Sequence, residues 1–209
     1  MSQANKVVQL IDGYARKGGK YLASGSVTLV CSNDVFILVD CGDPWNGEEV
    51  LQRLKAVGLE KEDINIVVVT HGHMDHCGNL ALFKDAKLYM ASDIAVNGEY
   101  DTLEENPILL ANDVELHRCP GHTDHDLIVV VKNTEIGCFV IAGDIFENEN
   151  DADEWKAVSA YPQKQEKSRE KILRLADWII PGHGKLFENV LKNKFAANEH
   201  SLEPCKYMI

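Results

Sequence analysis

The sequence lacks the features that would divide it, export it or tie it to a membrane. Its 209 residues include only 6 prolines and 15 glycines. No Pro-, Gly- or Ser-rich stretch, internal repeat or low-complexity tract marks a linker. A single domain over residues 1–209 is the expectation. The longest apolar runs, such as Ile66 to Val69 and Leu127 to Val131, are strand-length and too short to span a bilayer. Met1 to Leu10 lacks the apolar core of a signal peptide. The expected location is therefore cytoplasmic or also nuclear, with no membrane partner.

Positive charge is also scarce. The 21 Lys and Arg face 33 Asp and Glu, for a formal net charge of −12. That balance weighs against non-specific nucleic-acid binding, which needs Lys and Arg on phosphates, but leaves room for a local basic groove. No CxxC pair occurs among Cys31, Cys41, Cys77, Cys119, Cys138 and Cys205. Four of the six lie in apolar, strand-like contexts where Cys behaves as a small hydrophobe, so reduced structural thiols are expected.

What is present reads as a layered α/β chain. Lys6 to Ile11, Ser26 to Cys31 and Val35 to Asp40 are strand candidates, with Ser32-Asn33-Asp34 turning the last two into a hairpin. A helix from about Glu48 to Val57 has Asn46 as its cap, Glu49 completing a capping box and Gly58 as its stop. Ile64 to Thr70 has the all-apolar character of a strand buried on both faces. Further strands are expected at Lys87 to Met90, Val114 to Cys119, Leu127 to Lys132, Cys138 to Ala142 and Trp178 to Ile180. A second helix fits Gln163 to Ala176, and Asp93 to Asn106 and Glu147 to Asp153 read as loops. Strands first and then strands mixed with helices suggest sheets covered by helices.

The chemistry concentrates in Thr70-His71-Gly72-His73-Met74-Asp75-His76, directly after the buried strand. His71 and His73 leave an extended backbone on one side, and Asp75 and His76 fall where the chain turns toward a helix. Imidazole and carboxylate are the ligands that zinc accepts, and the same set takes iron or manganese. Three more segments end an apolar strand in a glycine turn carrying a ligand-type residue: Pro120-Gly121-His122, Ala142-Gly143-Asp144 and Pro181-Gly182-His183. Together they supply the seven ligands that two adjacent divalent ions need. Two such ions would activate a shared water for hydrolysis, and Asp75, close to that water, is the candidate catalytic residue.

The ordered set of HGHMDH, PGH, AGD and PGHG resembles the metallo-β-lactamase superfamily along essentially the whole chain. The resemblance implies an αββα sandwich of two mixed β-sheets flanked by helices. It implies that His71, His73 and His122 hold one zinc, that Asp75, His76 and His183 hold a second, and that Asp144 bridges them. Asp40 matches the superfamily's early aspartate, which supports the metal loop from behind. His125, three residues after His122 where many members have Gly, is a candidate for touching substrate, whereas His117 and His200 read as structural or solvated.

The stretch from Ala142-Gly143-Asp144-Ile145-Phe146-Glu147 through Trp155 to Gln165-Glu166-Lys167-Ser168-Arg169 is similar to a narrower branch. That branch comprises small, homodimeric, two-zinc endoribonucleases acting on histone pre-messenger RNA. The expected activity is therefore RNA phosphodiester hydrolysis, with small esters, thioesters or lactones as the alternative. A non-catalytic metal-bound module is a third reading, disfavoured by the intact ligand set. The cations Lys164, Lys167, Arg169, Lys171 and Arg174 could meet phosphates, although a solvated helix face paired with Glu166 and Glu170 explains them more simply. Candidate stacking aromatics (Tyr89, Tyr100, Trp155, Tyr161) are scattered.

Overall fold

A computed structural model describes residues 3–18 and 20–192. Among these residues, seven strands form one sheet, in the spatial order β1 (Lys6–Ile11), β4 (Val27–Ser32), β5 (Val35–Val39), β6 (Ile66–Val69), β7 (Lys87–Met90), β8 (Asp93–Val96) and β9 (Glu99–Thr102). Six form a second: β10 (Ile108–Ala111), β11 (Val114–Arg118), β12 (Leu127–Val131), β13 (Phe139–Gly143), β14 (Trp178–Pro181) and β15 (Phe187–Glu188). Both sheets are mixed: β5, β6 and β7 run parallel, as do β13 and β14, while the other pairings are antiparallel. A separate hairpin joins β2 (Tyr14–Gly18) to β3 (Lys20–Ser24).

Strand periodicity builds the layers. Ile66 and Val68 of β6 face a core shared with Leu127, Val129 and Val131 of β12, so this core lies between the sheets. The alternate residues Val67 and Val69 face outward onto α1 (Gly47–Ala56), where Val50 and Leu54 cover them. On the other side, Ile128 and Val130 meet Ile172 of α3 (Pro162–Leu175). Each such buried aliphatic contributes about 1.5–3 kcal/mol. The order is helix, sheet, sheet, helix: the αββα sandwich of the metallo-β-lactamase fold.

Three expectations change. Asp93 to Asn106 is not a loop, because β8 and β9 pair across Asn97-Gly98, both at positive φ (51° and 85°). An Asn-Gly pair at positive φ is the favoured two-residue hairpin turn. β9 is the edge strand and is exposed throughout, so its polar residues hide the strand pattern. The β2–β3 hairpin escapes notice for the same reason. Asn46 precedes α1 without capping it; its side chain instead donates to Ser24 Oγ (3.2 Å) and accepts from Asn79 Nδ2 (3.1 Å). The capping box is not formed there, and Glu49 pairs with Arg53 along the helix.

The five described cysteines form no disulfide, and burial raises the pKa of each thiol. Cys205 and His200 lie outside the described residues. Among the described residues no helix is long and apolar enough to cross a membrane.

Candidate metal centre

The centre is built where strands of both sheets end on one edge of the sandwich. After β6 the chain is pinned by Asp40, itself at the end of β5 with φ of 58°. Asp40 accepts from the Thr70 backbone N–H (2.7 Å) and the Thr70 hydroxyl (2.8 Å), and its Oδ2 lies 2.8 Å from His76 Nδ1. A left-handed backbone is costly for a residue with a Cβ, and such strain collects at functional sites. Here it aims a fully engaged carboxylate at the back of His76, the support expected of Asp40.

Three imidazole nitrogens converge first. His71 Nε2 lies 2.9 Å from His73 Nδ1, which lies 3.1 Å from His122 Nε2. Nitrogens held tetrahedrally at zinc distances would stand roughly 3.3 Å apart, so little movement separates this cluster from a ligand set. Asp75 and His76 belong to the single-turn helix α2 (Met74–Cys77). Asp75 Oδ2 is 3.8 Å from His76 Nε2 and 3.6 Å from His183 Nε2.

Asp144 stands between the groups. Its Oδ2 is 3.5 Å from His71 Nε2, 3.3 Å from His122 Nε2 and 3.3 Å from His183 Nε2, and its Oδ1 is 3.1 Å from His76 Nε2. All seven residues singled out from the sequence are thus brought together. His71, His73, His122 and Asp144 form one group, and Asp75, His76 and His183 another, with the ligand atoms of each within 4.8 Å of one another. The donor set fits divalent metal. His76 Nε2 and Asp144 Oδ1 are buried without a hydrogen-bond partner, and a cation would satisfy both.

Titration behaviour differs across the centre. Burial, with the neighbouring His76, drives His71 well below the ordinary imidazole range, and burial also lowers His122. Burial is the largest influence on His76 and His183 and opposes their charged form, but the charge and hydrogen bonding of Asp144, joined at His76 by Asp40, together outweigh it. His76 is raised well above its usual value and His183 to about 9. Burial likewise opposes ionisation of Asp144, yet His76, His71 and His183 hold it well below the carboxylate range.

Close packing needs glycine at two points. A Cβ on Gly182 would sit 1.8 Å from Asp144 Oδ1, and one on Gly25 would sit 2.8 Å from His76 Nδ1. No side chain larger than hydrogen lets these loops close on the centre.

A cleft of about 420 Å³ opens over the ligands, walled by Tyr21, Ala23, Val158 and Glu147. Glu147 is buried, and burial together with Asp144 raises it to about 8. A larger cavity of about 660 Å³ beside α3 and residues 149–156 contains none of the clustered ligands. Tyr21 and Glu147 were not singled out from the sequence as site residues. Tyr21 belongs to the overlooked hairpin, and Glu147 had only its place three residues after Asp144 to distinguish it.

Other candidates go elsewhere. The His125 ring is exposed, faces Asp124 and does not line the cleft. His117 is structural, held between Glu115 (2.9 Å) and Lys171 (3.3 Å). Arg169 is bound by Asp151 (2.7 and 3.0 Å) and by the Ile145 carbonyl (2.8 Å), between the Phe146 and Trp155 rings. Arg174 pairs with Glu170 (3.9 Å), and Lys164 lies over Tyr161. Arg169 and Lys171 are thus engaged within the fold rather than on a solvated face, while the Arg174–Glu170 pair matches the solvated-face reading. Tyr89 and Trp155 are buried.

Comparison with known proteins agrees with the geometry. The family described as "Metallo-beta-lactamase superfamily" matches residues 21–91. Metallo-beta-lactamase domain-containing protein 1 of Xenopus laevis is 40% identical over 197 residues, covering 91% of this chain and 84% of that protein. The Homo sapiens protein of the same name is 42% identical over 156 residues, covering 72% of this chain and 59% of its own length. The chain thus spans about three-fifths of this mammalian relative. A Thermotoga maritima crystal structure, of a candidate metallo-beta-lactamase, superposes with a TM-score of 0.68 at 18% identity, covering 89% of this chain and all of that one. The chain belongs to the metallo-β-lactamase superfamily of metal-dependent hydrolases, with metallo-β-lactamase domain-containing protein 1 among its relatives.

Proposed function

We propose that this chain is a binuclear zinc hydrolase acting on RNA phosphodiester bonds. The observation that carries the hydrolase reading is Asp144, one buried carboxylate within 3.5 Å of four imidazole nitrogens drawn from both ligand groups. His71, His73 and His122 would hold one ion, Asp75, His76 and His183 the other, and Asp144 both. Zinc suits this donor set, and iron or manganese would also fit. Two such ions would lower the pKa of a shared water toward neutrality and take up charge on the leaving oxygen.

The chain's own groups do the rest. Asp75 has its side chain partly open to the cleft and can take the proton of the attacking water. Asp40 holds His76 in one orientation, and Gly182 lets the His183 turn close over Asp144. Tyr21, Ala23 and Val158 form the wall against which a substrate would lie.

The RNA reading is supported by the AGDIFE and QEKSR segments and by relatedness along most of the chain. A second reading, hydrolysis of small esters, thioesters or lactones, is favoured by the cleft itself. Its volume suits a small ligand, and among the described residues no Lys or Arg lines it. The test is cleavage of a labelled single-stranded RNA spanning a histone pre-messenger 3′ end by the zinc-loaded protein. Cleavage lost in Asp75→Ala and in chelator supports the ribonuclease. Intact RNA with two ions per chain overturns it, and a panel of esters, thioesters and lactones then tests the alternative. The homodimer implied by the narrower resemblance, and the cytoplasmic or nuclear location expected from the sequence, remain part of this proposal.

A further inference from the structure

The ring nitrogens that point away from the centre reveal an unassigned contact. A metal-binding imidazole usually donates its second N–H to a fixed acceptor, which sets the tautomer and the ring orientation. His76 Nδ1 has Asp40 at 2.8 Å, His71 Nδ1 has the Thr70 hydroxyl at 3.1 Å, and His183 Nδ1 has the Ser24 carbonyl at 3.1 Å. His73 is largely exposed, so water can serve its outer nitrogen. His122 is the exception: it is buried, and its Nδ1 has no hydrogen-bond partner.

The atom facing that nitrogen is equally unpartnered. Glu147 Oε1 is buried, makes no hydrogen bond and lies 3.9 Å from His122 Nδ1. A buried polar atom left unpaired is costly, so the juxtaposition of two is better explained as a contact that closes. The backbone around Glu147 is firmly held. Its N–H donates to Asp151 Oδ2 (2.7 Å), and its carbonyl accepts from His183 N–H (2.8 Å). A side-chain shift of about 1 Å would bring the pair to hydrogen-bond distance without moving the chain.

We propose that Glu147 is the positioning residue of His122, accepting its Nδ1–H and turning its Nε2 onto the first ion. Asp40 serves His76 in the same way at the second ion. One carboxylate thus stands behind each ion's histidines, Asp40 from the first sheet and Glu147 from the turn after β13. The inference rests on the reading of His122 as a metal ligand.

The test compares wild type with Glu147→Ala and Glu147→Gln, each first shown to be folded by circular dichroism of the metal-free form. Stepwise zinc affinity is measured by chelator competition, and ligand geometry by the visible spectrum of the cobalt-substituted protein. In Glu147→Ala one of the two binding steps should weaken by about 10–100-fold, with the other unchanged. Glu147→Gln, whose amide oxygen can accept the same N–H, should recover most of that loss. In zinc-loaded wild type, nitrogen-15 NMR should show a protonated His122 Nδ1 whose proton exchanges slowly, and the Ala variant should lose that protection. Unchanged affinities, equal weakening of both steps, or a Gln variant no better than Ala would overturn the proposal. Should neither variant fold, the wild-type spectrum decides, and a fast-exchanging His122 Nδ1 proton would sink it. Failure of the wild-type protein to bind metal would instead refute the metal-centre reading.

Discussion

The two ligand groups are made from similar residues but are prepared differently. His71 and His122 are driven toward the neutral imidazole that a metal requires. His76 and His183 are driven toward the charged form, because Asp144 lies against both, with Asp40 also behind His76. The second group is the better braced: His76 Nδ1 is held by a carboxylate and His183 Nδ1 by a backbone carbonyl. At one position His71 and His122 favour the proton-free form. The other is rigid but occupied by protons that an incoming ion must displace. Burial alone does not rank metal ligands; the charges around them do.

The most severe way to break this contrast is to remove its common member. Asp144→Ala should cost both positions their shared carboxylate and lower hydrolytic turnover at least about 10³-fold, equivalent to several kcal/mol of lost charge stabilisation. Metal analysis should show fewer than two ions per chain, and a variant near wild-type rate would refute the assignment. A narrower cut is Asp40→Ala, which removes the acceptor of three buried hydrogen-bonding groups. Loss of about 10–100-fold in affinity at one position is expected. Denaturant unfolding should show destabilisation of about 3 kcal/mol from the donors left unpaired. Equal weakening of both ions would erase the distinction between the positions.

The mildest probe is pH. His183 has a folded pKa of about 9 against an ordinary 6.5, so the folded metal-free protein binds its proton more tightly than the unfolded chain. That stabilisation is complete below about pH 6.5 and is lost as pH rises through about 9, with His76 acting in the same direction. Thermal unfolding of the metal-free protein should therefore show stability falling across that window. Zinc titrations should show the reverse trend in affinity. As pH is lowered, one ion should leave before the other, because His76 and His183 recapture protons before His71 and His122 do. Simultaneous release of both ions would show that the groups are not separately poised.

Much of this was legible along the chain, for identifiable reasons. Val67 and Val69 alternate with Ile66 and Val68 across two buried faces, so β6 could be placed from its composition alone. HGHMDH announces itself because four ligand-type residues within six positions have little use in a core. Edge elements were opaque, since Glu99 to Thr102 are exposed and carry no burial pattern. Asn46 shows a different limit: it has the right type and place for a helix cap, yet its side chain serves the loop next to the centre.

The sequence by itself determined the candidate ligand inventory and the strands that deliver it, because ligand chemistry and strand periodicity are local properties of residue type and spacing. Only the tertiary structure decided which nitrogen of each imidazole faces inward, which histidines are pushed toward charge and which toward neutrality, and that Glu147 lies behind His122 while His125 turns away. Those outcomes depend on distances between residues remote in the chain, such as Asp40 to His76 and Asp144 to His183. Electrostatic and hydrogen-bond energies are set by such distances and by burial, and neither is written in the order of residues.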